Sequence, residues 1–179
     1  MMSFPLIRAD EAPLLARLFF ADGDPGPLVG AFAHVPELLA PAMSLVGTVY
    51  GPTALPTRLK EIVVLRTSVK NGCRYCTDAH LVAADDAGLS HAELCALRDE
   101  SALPESFAPS ERAAIAFVEA LCDRPDSAVG MLGAHFEDHL IVELTALASV
   151  TIFLNRFCTA LGLPTSSETL QRVRELGFA

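Results

Sequence analysis

The apolar residues of this chain recur almost throughout at three- and four-residue steps, and runs that alternate apolar with polar are rare. That period places them on one face of a helix rather than of a strand. Proline and glycine punctuate the pattern. A helix is expected over 36–50, begun by Pro36 and stopped at Gly51-Pro52. The next is expected over 57–70, with Leu59, Ile62, Val63 and Arg66 in step, stopping at Asn71-Gly72. Its Ile62-Val63-Val64 run has the composition of a strand, but the Pro56 start, the Gly72 stop and the continuous length favour helix. Further helices are expected over 73–87, 90–99, 110–123, 138–161 and 166–176, and Ser90 with Glu93 forms a capping-box pattern. The fold class is all-α.

A chain of 179 residues is one ordinary domain, here 1–179. Within it we expect an N-terminal helix and linker over 1–27, a unit over 36–88 and a second unit over 110–164. The formal charge is −9, and Lys60 and Lys70 are the only lysines. No basic stripe exists, so nucleic acid is not an expected partner. The most apolar run, 140–154, is interrupted by Glu143 and is too short to span a bilayer. Asp10 and Glu11 fall where a signal peptide keeps an uncharged stretch. A cytoplasmic location is expected, where thiols stay reduced and five cysteines do not imply a disulfide framework.

Two stretches of the chain echo each other. Residues 61–80 read E-x11-C-R-Y-C-T-x2-H and residues 143–162 read E-x11-N-R-F-C-T-x2-G. Glu61 aligns with Glu143, Arg74 with Arg156, Tyr75 with Phe157, Cys76 with Cys158 and Thr77 with Thr159. This reads as an internal repeat of one helical unit. The second copy lacks the first cysteine and the histidine, so only the first is equipped for dithiol chemistry.

On a helix, Cys73, Cys76 and His80 fall within roughly 60° of one another. The Asn71-Gly72 break puts Cys73 at a helix N-terminus, where free N–H groups and the helix dipole favour thiolate. A Cys-x-x-Cys pair closes a reversible disulfide locally. His80, one turn beyond Cys76, is placed to take its proton, and Glu61 approaches from the preceding helix if the Gly72 turn folds the two antiparallel. The helix terminus favours Cys73 as the attacking thiol, while the His80 spacing favours Cys76. A closed zinc site needs four ligands and no second pair exists, so no metal and no cofactor are expected. Cys95, Cys122 and Cys158 have apolar neighbours and read as core. Glu143 reads as structural, pairing with Arg156, and His135 and His139 as exposed.

The Glu61, Cys73-Arg74-Tyr75-Cys76, His80 pattern resembles the core motif of the alkylhydroperoxidase D-like proteins of the carboxymuconolactone decarboxylase superfamily. The likeness is strong at the motif, extends loosely over 36–164, and leaves the N-terminal segment to Pro27 uncovered. It implies an all-α homo-oligomer, commonly a trimer or hexamer. It also implies reduction of alkyl hydroperoxides, with Cys76 forming the sulfenic acid, Cys73 resolving it to a disulfide, and His80 and Glu61 forming a proton relay. Lipoylated proteins supply electrons to some members, and others reduce a peroxiredoxin. Where some members carry a histidine between the cysteines this chain has Tyr75, a second relay candidate. Two other functions compete: a decarboxylating lyase, which needs no dithiol, and a non-catalytic redox-sensing or metal-binding protein.

Overall fold

Helix boundaries follow the punctuation of the chain. The computed structural model describes residues 4–178. Among them it has the α-helices α1 (Pro27–Phe32), α2 (Pro36–Tyr50), α3 (Thr57–Lys70), α4 (Arg74–Asp86), α5 (His91–Arg98), α6 (Pro109–Asp123), α7 (Asp138–Leu161) and α8 (Ser167–Glu175), and no strand. Ser90 caps α5, accepting from the Glu93 N–H while the Glu93 carboxylate accepts from the Ser90 N–H.

α3 sits at the centre, packed by α4, α5, α6 and α7. Ile62, Val63, Val64 and Leu65 are each fully buried, and Lys60, Arg66, Thr67 and Ser68 are buried with them, so this helix is covered on every side. That accounts for the strand-like look of its sequence. β-Branched residues cost a helix only a few tenths of a kcal/mol each, and burial returns about 1.5–3 kcal/mol per side chain. One side of α3 meets Phe117 of α6 and Leu144 and Leu147 of α7. Another meets Leu81 of α4, Leu94 and Leu97 of α5 and Ile115 of α6.

The N-terminal segment differs from expectation. Instead of an α-helix it forms two 3-10 turns, Ala9–Glu11 and Leu14–Phe20. Pro13, with no N–H, opens the second. Ala12, Ala16 and Phe20 anchor the segment against Val29, Phe32 and Leu39 of α1 and α2. Pro27, read as the end of a linker, is the first residue of α1.

α7 has the bounds expected from the sequence. Its 24 residues, with a mean hydropathy of 1.6 in the most apolar 18-residue window, make it long and apolar enough to cross a membrane by length and composition, where the run 140–154 alone read as too short. In the fold, Leu144, Leu147, Ala148, Thr151, Leu154 and Asn155 form a buried stripe on the side packed against α3 and α2.

The turn between α3 and α4 sets the position of the cysteines. Gly72 has φ +65°, a left-handed conformation that suits glycine. Its N–H donates to the Val69 carbonyl and the Cys73 N–H to the Ser68 carbonyl, the two bonds of a Schellman ending. The chain then reverses, and α4 lies along α3.

Candidate functional site

Cys73 is the N-cap of α4, its sulfur accepting from the Cys76 N–H at 3.4 Å. The two sulfurs are 2.6 Å apart, and both residues are buried as free cysteines. Their side chains can close a disulfide without a change in backbone course. The Gly72 reversal brings Glu61 of α3 to His80 of α4, with Oε2 2.8 Å from Nδ1. An ionised carboxylate only accepts, so Nδ1 carries the proton in this contact and Nε2 is left as the basic nitrogen of a neutral ring.

The structure also places here a residue that the sequence reading assigned to the core. Cys158 of α7 is buried, but it clusters with Cys73, Cys76, Ala31 and Leu163. Hydrogen bonds from Cys158, then from Cys76, together with the Cys76 and Thr159 donors, hold the Cys73 thiol far below its ordinary value despite burial. Cys158 also pulls Cys76 down, but the adjacent Cys73 sulfur and burial outweigh it and hold Cys76 above the usual thiol range. Cys158 is driven upward, because its S–H is engaged by Cys73 and Cys76 and is buried. The balance of these contacts favours the negative charge at Cys73 over its two neighbours. The upward shift disfavours Cys158 as a nucleophile, as its apolar setting suggests, and its hydrogen bonds to the pair make it a donor to them.

The remaining expectations divide. Cys95 and Cys122 are only partly buried: Cys95 Sγ lies 3.4 Å from His91 Nε2, and Cys122 accepts from Asn71 Nδ2 at 3.5 Å. Glu143 does not pair with Arg156. It meets Lys60 at 3.5 Å and accepts from the Thr53 hydroxyl, while Lys60, itself buried, also donates to the Val49 and Gly51 carbonyls at 3.2 and 2.6 Å. His135 and His139 are exposed. Among the described residues no group of histidine, cysteine and carboxylate side chains is arranged to hold a metal ion.

Tyr75 is partly buried, and burial pushes its hydroxyl up to about 12. The tyrosine that meets His80 is a different one, Tyr50, whose ring centroid lies 5.8 Å from the imidazole. Its hydroxyl is 2.7 Å from Thr151 Oγ1, which donates in turn to the Leu147 carbonyl, so Tyr50 is the donor. Burial raises the Tyr50 phenol beyond its ordinary range. Tyr50 and Thr151 carried no sequence signal, because 101 residues separate them.

The two sulfurs open onto different spaces. Cys76 and His80 share a cavity of about 180 Å³ walled by Leu28, Val46, Tyr50 and Leu154. Cys73 lines a wider, more open cavity of about 520 Å³ with Tyr75, Thr159, Leu163 and Leu170, and Cys158 borders both. The arrangement places an imidazole on the cavity of one thiol and, behind it, a second thiol whose proton is more easily lost.

The family model for the carboxymuconolactone decarboxylase family matches residues 36–120, a span that includes Glu61, Cys73, Cys76 and His80. No curated protein matches the chain. Among solved structures, an uncharacterized peroxidase-related protein from Ralstonia eutropha JMP134, with an alkylhydroperoxidase AhpD core, superposes with a TM-score of 0.79 at 18% identity, covering 93% of each chain. A protein of unknown function from Agrobacterium tumefaciens, with an AhpD antioxidant-defence label, is 27% identical over 76% of this chain and 95% of its own, with a TM-score of 0.68. The debrominase Bmp8 has a TM-score of 0.77 at 22% identity over 98% of both chains. The chain shares the all-α fold of these proteins.

Proposed function

The chain belongs to the carboxymuconolactone decarboxylase superfamily, and from that premise we propose that it is a thiol-dependent peroxidase reducing alkyl hydroperoxides through Cys76 and Cys73. The observation that carries this reading is the Glu61–His80 hydrogen bond, 2.8 Å, on the same cavity as Cys76, with the Cys73 sulfur 2.6 Å from that of Cys76.

The chemistry follows the proton. His80 Nε2 takes the Cys76 proton while Glu61 holds the ring and stabilises its positive charge. The Cys76 thiolate attacks the terminal oxygen of the hydroperoxide. The O–O bond breaks with its electron pair leaving on the alkoxide, which recovers the proton from His80 as an alcohol. Cys76 is left as the sulfenic acid. Cys73, already a thiolate, attacks that sulfur and forms the disulfide, and the hydroxide released leaves as water after taking up a proton. The high proton affinity of Cys76 is no obstacle, since a more basic thiolate is the stronger nucleophile once formed. An external dithiol then returns the pair to its reduced state by exchange.

The motif resemblance supports a lipoylated protein or a peroxiredoxin as redox partner in a reducing cytoplasm. Exposed apolar side chains at Leu14, Leu15, Leu18, Leu38, Leu45 and Phe153 support a homo-oligomer, trimer or hexamer. The deciding experiment mixes pure protein with tert-butyl hydroperoxide and follows thiol loss, with dihydrolipoamide as reductant. Catalytic turnover with loss of two thiols per chain in the absence of reductant is the expected result. Stoichiometric oxidation without turnover would instead make the protein a redox sensor.

A further inference from the structure

Gly72, Arg74 and Leu170 line the cavity beside Cys73 and also a second one, of about 600 Å³, so the two spaces adjoin. The chemistry above makes no use of the second. Arg74 at the start of α4, Arg98 at the end of α5 and Arg174 of α8 line it, against a single acid, Asp78. In a chain of formal charge −9, such a groove is opposite in sign to the molecule as a whole. Asp78 does not occupy the arginines. It is buried, its Oδ2 accepts from the Thr165 hydroxyl at 2.8 Å, and Arg74 Nε stays 3.7 Å away. Arg98 lies over the Phe178 ring, 5.1 Å from its centroid, and its ion pair with Asp99 is 3.7 Å long, too far for a hydrogen bond. Arg174 is exposed and has no ion-pair partner among the described residues. Val69, Val173 and Phe178 supply an apolar lining between them. Cavities of this size take small molecules, and a lining of this kind suits one with an apolar arm and an anionic end.

We propose that this groove binds the carboxylate tail of a small dithiol reductant, with Arg74, Arg98 and Arg174 on the carboxylate and the dithiol end toward the Cys73–Cys76 pair. The inference rests on the reading of that pair as a redox disulfide. The exchange is the one given above: two electrons and two protons pass from the reductant, which closes its own disulfide, to the pair, whose disulfide opens. The guanidinium groups hold the tail and leave the reacting sulfurs alone, so they set how readily the reductant binds. Overall charge works the other way. An anionic reductant is repelled by an acidic chain, so a preference for it can come only from a local cationic site.

The test uses the full chain with the Cys73–Cys76 disulfide formed beforehand by diamide, so that no hydroperoxide is needed. Dihydrolipoate and dihydrolipoamide share one dithiol and differ only at the far end of the alkyl arm, a carboxylate in one and a neutral amide in the other. Reduction is quenched with acid, and the freed Cys73 and Cys76 are alkylated and counted by peptide mass. The acid is expected to reduce the parent about tenfold faster than the amide, the scale of two or three exposed ion pairs. Arg174→Gln should lower that ratio about threefold, and Arg174→Glu should bring it to about one or below. Raised salt should lower it as well. Arg156→Gln removes the same charge at an exposed position outside the groove, the one that matches Arg74 in the second copy, and should leave the ratio where it is. A parent ratio of one or below overturns the proposal, as does a ratio that falls as far in Arg156→Gln as in Arg174→Gln. Either outcome leaves the peroxidase reading standing. Failure of hydroperoxide to form the disulfide that diamide forms overturns that reading alone, and a parent in which neither forms it overturns both.

Discussion

Residues 61–80 and 143–162 match at five positions with the same spacing, yet they fold differently. The first is a helical hairpin, α3–turn–α4; the second lies almost wholly on one helix, α7. The cause is local. Asn71-Gly72, which ends α3 in a left-handed turn, corresponds to Phe153-Leu154, and both of these continue a helix. In the hairpin the chain doubles back, and Glu61 reaches His80 at 2.8 Å. On a continuous helix the 15 steps from Glu143 to Cys158 span about 22 Å. Glu143 therefore cannot serve Cys158, and it meets Lys60 instead. Equal spacing in sequence gives a Glu–His hydrogen bond in one copy and two unrelated contacts in the other. The second copy has Asn155 in place of the first cysteine and Gly162 in place of the histidine. It forms a wall of the first, with Cys158 against the pair and Asn155 on the cavity.

The sharpest way to break this comparison is to remove the matched sulfurs one at a time. Cys76→Ala should fold and lose hydroperoxide turnover by at least about a thousandfold, as removal of a nucleophile does. Cys158→Ala should retain turnover at neutral pH within about tenfold. Equal losses in the two variants, with melting curves unchanged, would make the second copy a working centre.

The matched glutamates come next. Glu61→Gln and His80→Ala should each slow hydroperoxide consumption by about a hundredfold to ten-thousandfold, the range for a lost general base. Glu143→Gln should leave the rate alone and lower stability by about 1–3 kcal/mol, because buried Lys60 loses its carboxylate. Denaturant unfolding paired with steady-state rates separates the two effects, and a rate loss in Glu143→Gln would show that the site extends to α7's N-terminal half.

A subtler effect concerns the donor role of Cys158. Cys73 is held below its ordinary range by hydrogen bonds, the one from Cys158 first, so its thiolate persists from neutral into acidic solution. Removing the Cys158 S–H weakens the thiolate, and the titration must move up. A lost hydrogen bond to a charged group, about 1.5–3 kcal/mol, corresponds to about one to two pH units. Iodoacetamide labelling of Cys73 against pH in Cys158→Ala checks this. An unmoved profile would reduce Cys158 to packing.

The smallest effect belongs to the glycines that end the two helices. Gly72 and Gly162 have φ +65° and +62°, and a Cβ at either meets nothing within 4 Å. Gly72→Ala and Gly162→Ala should each cost about 1 kcal/mol from backbone strain alone. A much larger loss at Gly72 would mean that the reversal stores more of the fold's stability than its local geometry indicates.

What could be read in advance follows a physical boundary. Helix existence, most boundaries, the break at Asn71-Gly72 and the common face of Cys73, Cys76 and His80 depend on neighbours a few residues apart, where 3.6 residues per turn fixes who meets whom. The Ile62-Val63-Val64 ambiguity was a limit of the same kind, since in a helix covered on all sides the burial of a residue no longer follows its polarity, and Lys60 and Arg66 are buried beside the apolar run. The antiparallel approach of Glu61 was legible because a single tight turn separates its helix from that of His80.

The contacts across distant helices were not legible. That Cys158 joins the thiols rather than the general core, that Asn155 turns to Cys76 and Ser68, that Tyr50 and not Tyr75 meets His80, and that Glu143 finds Lys60 all depend on how α2, α3, α4 and α7 pack. Helical period determines which face a residue occupies and says nothing about which helix will cover that face. The sequence by itself determined an all-α chain with a dithiol and a histidine on one face of a helix. Only the tertiary structure decided which buried donors surround that dithiol and how much space is left beside it, because those follow from side-chain volumes packed between helices up to a hundred residues apart.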